Sequence, residues 1–265
     1  DARSLKAALD FAEHVPDAPA VHIKLDTGMH RLGFMPEEVP TVLDALRGTK
    51  KLHVASILSH LAASEDPQHD AFTREQIMLF RSLSATITDV LGYAPLLHIA
   101  NSAGVTRFPE ARFNMVRLGI GLHGIGADAG ETALLQPVET LRTVIAQVKE
   151  IPAGDSISYG RKTRVTVPTR IAVLPIGYAD GLSRRLGEGR GRLWIHGQEA
   201  RFTGAICMDM CMVDVTHIPC AVGDEAILFS PAHPVQEYAR DLGTIPYEAL
   251  TSISPRVKRV FVHGG

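Results

Sequence analysis

The sequence predicts an α/β protein in two parts, a region of alternating strands and helices followed by a mostly antiparallel β region. Three observations carry this reading. Short apolar runs alternate with helix-period segments through the first half. Each of those runs ends on polar residues. After Gly126 the long helical patterns stop, and short β-branched runs separated by turn residues take over. The division predicted is 1–130 and 131–265.

Residues 4–14 form an amphipathic pattern with Leu5, Ala8, Leu9 and Ala12 on one face, which predicts a helix. A strand is predicted over 21–25, a helix over 37–46, a strand over 54–59 and a long helix over 69–91. Two more strands are predicted, over 96–99 and 115–118. Strands separated by helices imply a parallel sheet of βα units. The polar ends, Asp26-Thr-Gly28, His60, Asn101-Ser102 and Arg117-Leu-Gly119, suit a TIM-type (β/α)8 barrel, where chemistry sits at the C-terminal ends of strands. Closure needs eight strands, so the expectation is the C-terminal half of a barrel, with strands five to eight present. Alone, these would expose an apolar interior and two open edges. About half a barrel is therefore expected upstream of Asp1, and the opening Asp-Ala-Arg-Ser, inside a helical pattern, reads as a cut end.

In the second part, residues 128–132 read as a small polar linker. Strands are predicted over 138–151, 157–159, 166–175, 192–196, 212–215, 225–229 and 257–263, with helices over 235–242 and 247–252.

Composition excludes several classes of function. The formal charge is −2 and no basic stripe is present, so nucleic acid is not an expected partner. The apolar runs are too short and too often broken by charge to span a bilayer, which argues against membrane insertion. The 3 cysteines form an odd set that points to a reducing, cytoplasmic compartment. Cys207 and Cys211 lie four apart, but no second ligand pair completes a metal site, so the cysteines read as small buried apolar residues.

The most specific segment is residues 22–34, His-Ile-Lys-Leu-Asp-Thr-Gly-Met-His-Arg-Leu-Gly-Phe. In a strand, His22, Lys24 and Asp26 share one face and Ile23 and Leu25 the other. A lysine aimed into a barrel is costly unless paired or modified, and by itself Lys24 reads as half of a structural ion pair. Further segments follow in order: Ser59-His-Leu-Ala62, His98-Ile-Ala-Asn-Ser102, Asn114-Met-Val-Arg-Leu-Gly-Ile120, Ser158-Tyr-Gly160, Pro175-Ile-Gly-Tyr-Ala-Asp-Gly181 and Cys207-Met-Asp209. Taken together they cover nearly the whole chain, which resembles the alanine racemases. Several segments are also similar to members of that family fused behind a cell-wall ligase.

The resemblance implies interconversion of L- and D-alanine through an aldimine with pyridoxal 5'-phosphate, supplying D-alanine for cell-wall peptidoglycan. Arg117 matches the arginine facing the pyridine nitrogen. A guanidinium stays charged and hands over no proton, so the ring is a weaker electron sink and side reactions are limited. Asn101, Ser102, Gly119 and Ile120 match cofactor-binding positions, with the hydroxyl and backbone N–H groups suited to phosphate. His60 and His98 match histidines packed around the ring and that arginine. Tyr159 matches the base that takes the α-proton from L-alanine, while a lysine serves the opposite face; racemisation needs a base on each side. Arg31, Met208 and Asp209 match residues that hold the substrate carboxylate, and Tyr178 one that lines the access path. Lys24 matches a lysine that some relatives carbamylate. The tyrosine of such proteins enters the partner's site, so the resemblance also implies a homodimer with shared active sites.

Two departures stand out. No segment resembles the N-terminal motif that carries the cofactor lysine, and none of Lys6, Lys50, Lys51, Lys149, Lys162 or Lys258 has a suitable context. Pro255 stands where many relatives have a phosphate-contacting tyrosine. The alternatives are a broad-specificity amino-acid racemase and a non-catalytic fragment. The decarboxylases of the same fold group are disfavoured, because their Cys-Glu-Ser-Gly-like segment is absent.

Overall fold

A computed structural model of the chain describes residues 1–262. The chain divides into two compact units, Asp1–Gln136 and a second that begins at Pro137.

The first unit opens with α1 (Ala2–His14), whose N-terminus is capped by the Asp1 carboxylate accepting from the Ser4 N–H and which buries Leu5 and Ala12. β1 (Val21–Lys24) follows. A 3-10 turn at Pro36–Glu38 then leads into α2 (Val39–Arg47), which buries Val39, Val42, Leu43 and Leu46. β2 (Val54–Leu58) precedes α3 (Asp70–Leu91), which ends where Gly92 takes a left-handed φ of 71°. Along α3 the buried positions Thr73, Gln76, Ile77, Phe80, Ser84 and Ile87 recur at helical spacing. Phe80 is fully buried, which contributes about 1.5–3 kcal/mol. β3 (Leu96–His98) and α4 (Ser102–Arg107) complete the pattern.

The sheet order is β1-β2-β3, with both pairings parallel. Ile23 and Ile57 belong to the core shared with α2 and α3. The other face carries His22 and Lys24 on β1, opposite Ser56 and Leu58 of β2, with His98 of β3 opposite Leu58. That face is therefore largely polar, and the expected apolar interior is corrected. The expected strand over 115–118 does not form either. Its neighbour β3 is satisfied another way: the Leu97 N–H donates to the Asn114 side-chain carbonyl, and Arg117 contributes one backbone bond, to the Ala100 carbonyl at 3.1 Å. The segment expected as a linker contains α5 (Ala129–Thr132), a single turn capped by the Asp128 side chain accepting from the Glu131 N–H.

In the second unit the expected strand over 138–151 is two strands, β4 (Leu141–Val144) and β5 (Gln147–Ile151). The chain changes partners between them: the Ile145 N–H donates to the Asp224 carbonyl and the Ala146 N–H to that of Val173, each at 2.9 Å. β6 (Ser156–Ile157) stops before Tyr159 and pairs with β7 (Thr163–Arg164). β8 (Thr169–Leu174), β9 (Arg192–Ile195), β10 (Gln198–Arg201), β11 (Cys211–Asp214) and β12 (Glu225–Phe229) follow. They form two antiparallel sheets, β10-β9-β12-β4 and β11-β8-β5. α6 (Val235–Leu242) buries Val235, Tyr238, Ala239 and Leu242, and α7 (Pro246–Thr251) follows it. The strand expected over 257–263 is absent through residue 262, where Val260, Phe261 and Val262 lie exposed without ladder partners; His263 lies outside the described residues. Cys211 is buried as expected, whereas Cys207 and Cys220 are only half-buried. Among the described residues no helix is long and apolar enough to cross a membrane.

Candidate active site

In the first unit the polar strand ends converge on Arg117. Its Nη2 donates to the Ser59 carbonyl at 2.7 Å and to that of Ile99 at 3.2 Å. Its Nη1 donates to the His98 carbonyl at 3.1 Å. The His98 carbonyl also accepts from the Ser59 N–H at 3.1 Å, and the guanidinium, which has only donors, reaches all three carbonyls at once. The same group reaches two imidazoles, with Nη1 at Nδ1 of His98 and Nη2 at Nδ1 of His60, 3.1 Å away. Because Arg117 can only donate, both Nδ1 atoms accept, so both rings are neutral with the proton on Nε2. Burial first, then the Arg117 charge, lowers each histidine to a pKa of about 4.

The loop after β1 is closed at its base by paired bonds, Asp26 N–H to the Phe34 carbonyl and Phe34 N–H to the Lys24 carbonyl, each 2.8 Å. Gly33 makes this approach possible: at φ +123° a Cβ would lie 2.8 Å from the Asp26 nitrogen. Asp26 accepts from the Gly28 N–H at 2.9 Å and the His30 N–H at 3.0 Å. Burial raises the Asp26 carboxyl, but these bonds and the charge of His30 outweigh it, and the group lies below the usual carboxylate range. Arg31 stands exposed in this loop. Lys24 is lowered from the ordinary lysine value, by burial first and then by Arg31, with Arg117 adding to the effect and Asp26 opposing it.

At the end of β3, Asn101 caps α4 by accepting from the Gly104 N–H at 2.9 Å. The Ser102 Oγ accepts from the Gly119 N–H at 2.9 Å and the Gly121 N–H at 3.2 Å. Nothing lies within 4 Å of a Cβ built on Gly119, and Ile120 is buried beside it. This hydroxyl with two converging N–H groups has the make-up of an anion cradle.

The remaining candidates lie in the second unit, and the sequence foreshadowed only part of their arrangement. Tyr159, 74% exposed, stands on a turn whose neighbours Ser158, Gly160 and Arg161 all have positive φ. Ser158 anchors the turn by donating from Oγ to the Ala205 carbonyl at 2.8 Å. Tyr159, Met208 and Asp209 line one cleft of about 500 Å³, with Ile171 and Met212 among its apolar walls. Tyr178 stands on a second turn pressed against residues 207–210: the Tyr178 N–H donates to the Cys207 carbonyl and the Ala179 N–H to that of Met208, each at 3.0 Å. Gly177 permits this contact, since a Cβ there would lie 2.3 Å from the Met208 carbonyl oxygen. Asp209 is engaged by Arg256 at 2.6 Å, and the same guanidinium holds Asp180 at 2.6 Å. Arg256 and Asp180 were missed in the sequence; the Pro255 departure lay one residue away. Pro255 itself is exposed. Among the described residues no cluster of three or more His, Cys, Asp or Glu could hold a metal ion.

A parallel βα sheet with an arginine held between two neutral histidines at its strand ends, followed by an antiparallel β unit, is the class of protein these features define. Comparison with known proteins makes that class specific. The family models described as "Alanine racemase, N-terminal domain" and "Alanine racemase, C-terminal domain" match residues 1–127 and 138–261. The chain belongs to the alanine racemase family. It is 39% identical over 247 residues to an alanine racemase of Desulfovibrio desulfuricans, covering 91% of this chain and 66% of that protein. It is 36% identical over 262 residues to one of Methanococcus maripaludis, covering 96% and 69%. The chain thus spans about two thirds of the length of these curated relatives. Among solved structures, the alanine racemase from D-cycloserine-producing Streptomyces lavendulae matches with a TM-score of 0.90 at 32% identity, over 100% of this chain and 72% of that one. The alanine racemase from Bartonella henselae with covalently bound pyridoxal phosphate matches with a TM-score of 0.85 at 28% identity, over 98% and 71%. These matches bear out the expected barrel-plus-β fold class, and the N-terminal-domain match covers the first 127 residues.

Proposed function

We propose that the protein containing this chain racemises alanine with pyridoxal 5'-phosphate as its cofactor. The observation that carries the reading is the Arg117 guanidinium held by Ser59, His60, His98 and Ile99 at the strand ends, with the Ser102 cradle beside α4. These residues fit the cofactor: Ser102 and the Gly119 and Gly121 N–H groups would hold its phosphate, and Arg117 would face its ring nitrogen. When bound, the cofactor supplies an electron sink for the negative charge left on the α-carbon.

The chain's own residues do the rest. His60 and His98, kept neutral, add no competing charge and orient Arg117, which remains a donor. Tyr159, on its strained turn, takes or returns the α-proton at its phenolic oxygen on one face of the substrate. On the family's pattern Arg31 and the backbone N–H groups of Met208 and Asp209 would hold the alanine carboxylate, with Tyr178 on the access path. Lys24, lowered below an ordinary lysine, retains more of the free amine, the form that carbamylation consumes. The lysine acting on the opposite face belongs, on this reading, to the part of the relatives' length that the chain does not span. The family background supports a cytoplasmic homodimer sharing its sites and making D-alanine for peptidoglycan.

The test is the natural full-length protein incubated with L-alanine and pyridoxal 5'-phosphate, with the enantiomers separated by chiral chromatography. D-alanine accumulating toward an equal mixture supports the proposal; no D-alanine contradicts it. Comparable turnover of serine or lysine would instead favour a broad-specificity racemase, a reading to which Pro255 in place of tyrosine lends some support.

A further inference from the structure

Behind Arg117 the hydrogen bonds continue. His98 Nε2 lies 3.1 Å from the Ser56 Oγ, and Ser56 Oγ lies 2.6 Å from His22 Nδ1. The parallel register explains why these groups meet: His22 pairs with Ser56, and Ser56 and His98 share a face, since His98 pairs with Leu58 two residues further along β2. Ser56 is fully buried and His98 nearly so, while His22 is exposed.

The polarity of the chain follows from its inner end. Arg117 can only donate, so His98 Nδ1 accepts and His98 Nε2 carries the proton, which it donates to Ser56. The Ser56 hydroxyl then has one hydrogen to place, and the acceptor within reach is His22 Nδ1. The reverse arrangement, with His22 Nδ1 donating, would leave the hydroxyl proton of a fully buried serine without a partner. Every donor therefore points outward from Arg117 through His98 and Ser56 to His22.

We propose that Ser56 and His22 are positioning residues that anchor the Nε2–H of His98 and so hold its ring, and through it Arg117, in place by means of this one-way hydrogen-bond relay. The bearing of the relay on catalysis rests on Arg117 facing the cofactor; its existence does not, so the two readings fail separately.

The test is two-bond proton–nitrogen NMR of the natural full-length protein labelled with ¹⁵N-histidine, which distinguishes protonated from unprotonated ring nitrogens. The relay predicts a protonated Nε2 and unprotonated Nδ1 for His98, and an unprotonated Nδ1 for His22. In Ser56→Ala the His98 Nε2–H keeps its proton but loses its acceptor, so its proton resonance should move upfield and exchange faster with solvent, and Ser56→Thr, which keeps the hydroxyl, should restore it. A protonated Nδ1 on either histidine in the native protein overturns the proposal, as does a Ser56→Ala spectrum identical to the native one. If Ser56→Ala does not fold, the native spectrum and His22→Ala decide. A relay confirmed in a protein that forms no D-alanine would leave the positioning intact and reject only the racemase reading.

Discussion

Arg256 binds Asp209 through Nη2 at 2.6 Å while its Nε holds Asp180, so one side chain ties the turn carrying Tyr178 to the turn carrying Met208. Both turns already touch through the backbone of residues 178–179 and 207–208. As a solvent-screened group, Arg256 adds little to global stability. On the proposed function its work is local, keeping the turn in place so that the Met208 and Asp209 backbone N–H groups can meet the substrate carboxylate. Arg256→Ala should leave the melting temperature nearly unchanged and raise KM for alanine several-fold with a smaller change in kcat. Steady-state kinetics beside thermal melts check this, and an unchanged KM would remove Arg256 from the site.

Gly204 sets the position of Tyr159 from a distance. At φ +72° a Cβ on Gly204 would lie 2.6 Å from the Cβ of Ser158, the residue just before Tyr159. Gly204→Ala should cost more than about 1 kcal/mol of stability, because the residue must hold a left-handed φ and displace its neighbour. It should also lower kcat more than KM by moving the tyrosine. Denaturant titration and kinetics on the same preparation test both halves.

The two neutral histidines make stability depend on pH. Both lie at about 4 in the fold, against about 6.5 in an unfolded chain. Between these values the unfolded state binds more protons, so stability rises with pH across the window. It is fully present above about 6.5 and lost as pH falls toward 4. Allowing for solvent screening, each histidine accounts for roughly 1–2 kcal/mol. Urea unfolding at pH 7 and pH 5 should therefore show a smaller difference for His98→Gln than for the unaltered protein. Equal differences would mean that His98 is not held neutral in the fold by its burial and by Arg117.

Much of this was legible in the sequence, and the misses have identifiable causes. Alternation at residues 22–26 located the buried pair Ile23 and Leu25, the polar ends of the strands marked His60 and Arg117, and the family resemblance added His98; the structure gathers these three into one cluster. The strand expected over 115–118 failed because a side chain, Asn114, takes the place of a ladder partner. The single strand expected over 138–151 failed because adjacent residues Ile145 and Ala146 bond to different strands, a tertiary fact that no local pattern encodes. Residues 257–262 have β-branched character but no pairing partner, and propensity alone does not make a strand. Ser56 and Arg256 were overlooked because a serine in a strand and an arginine in a polar tail look ordinary until their partners are known.

The central claim, that Tyr159 is the base on one face of alanine, is tested most directly by Tyr159→Phe in the full-length protein with pyridoxal 5'-phosphate in deuterated water. Mass spectrometry or NMR would follow exchange of the α-proton of each enantiomer separately. The account predicts that exchange from L-alanine is lost while exchange from D-alanine persists. Retained exchange from L-alanine would contradict it.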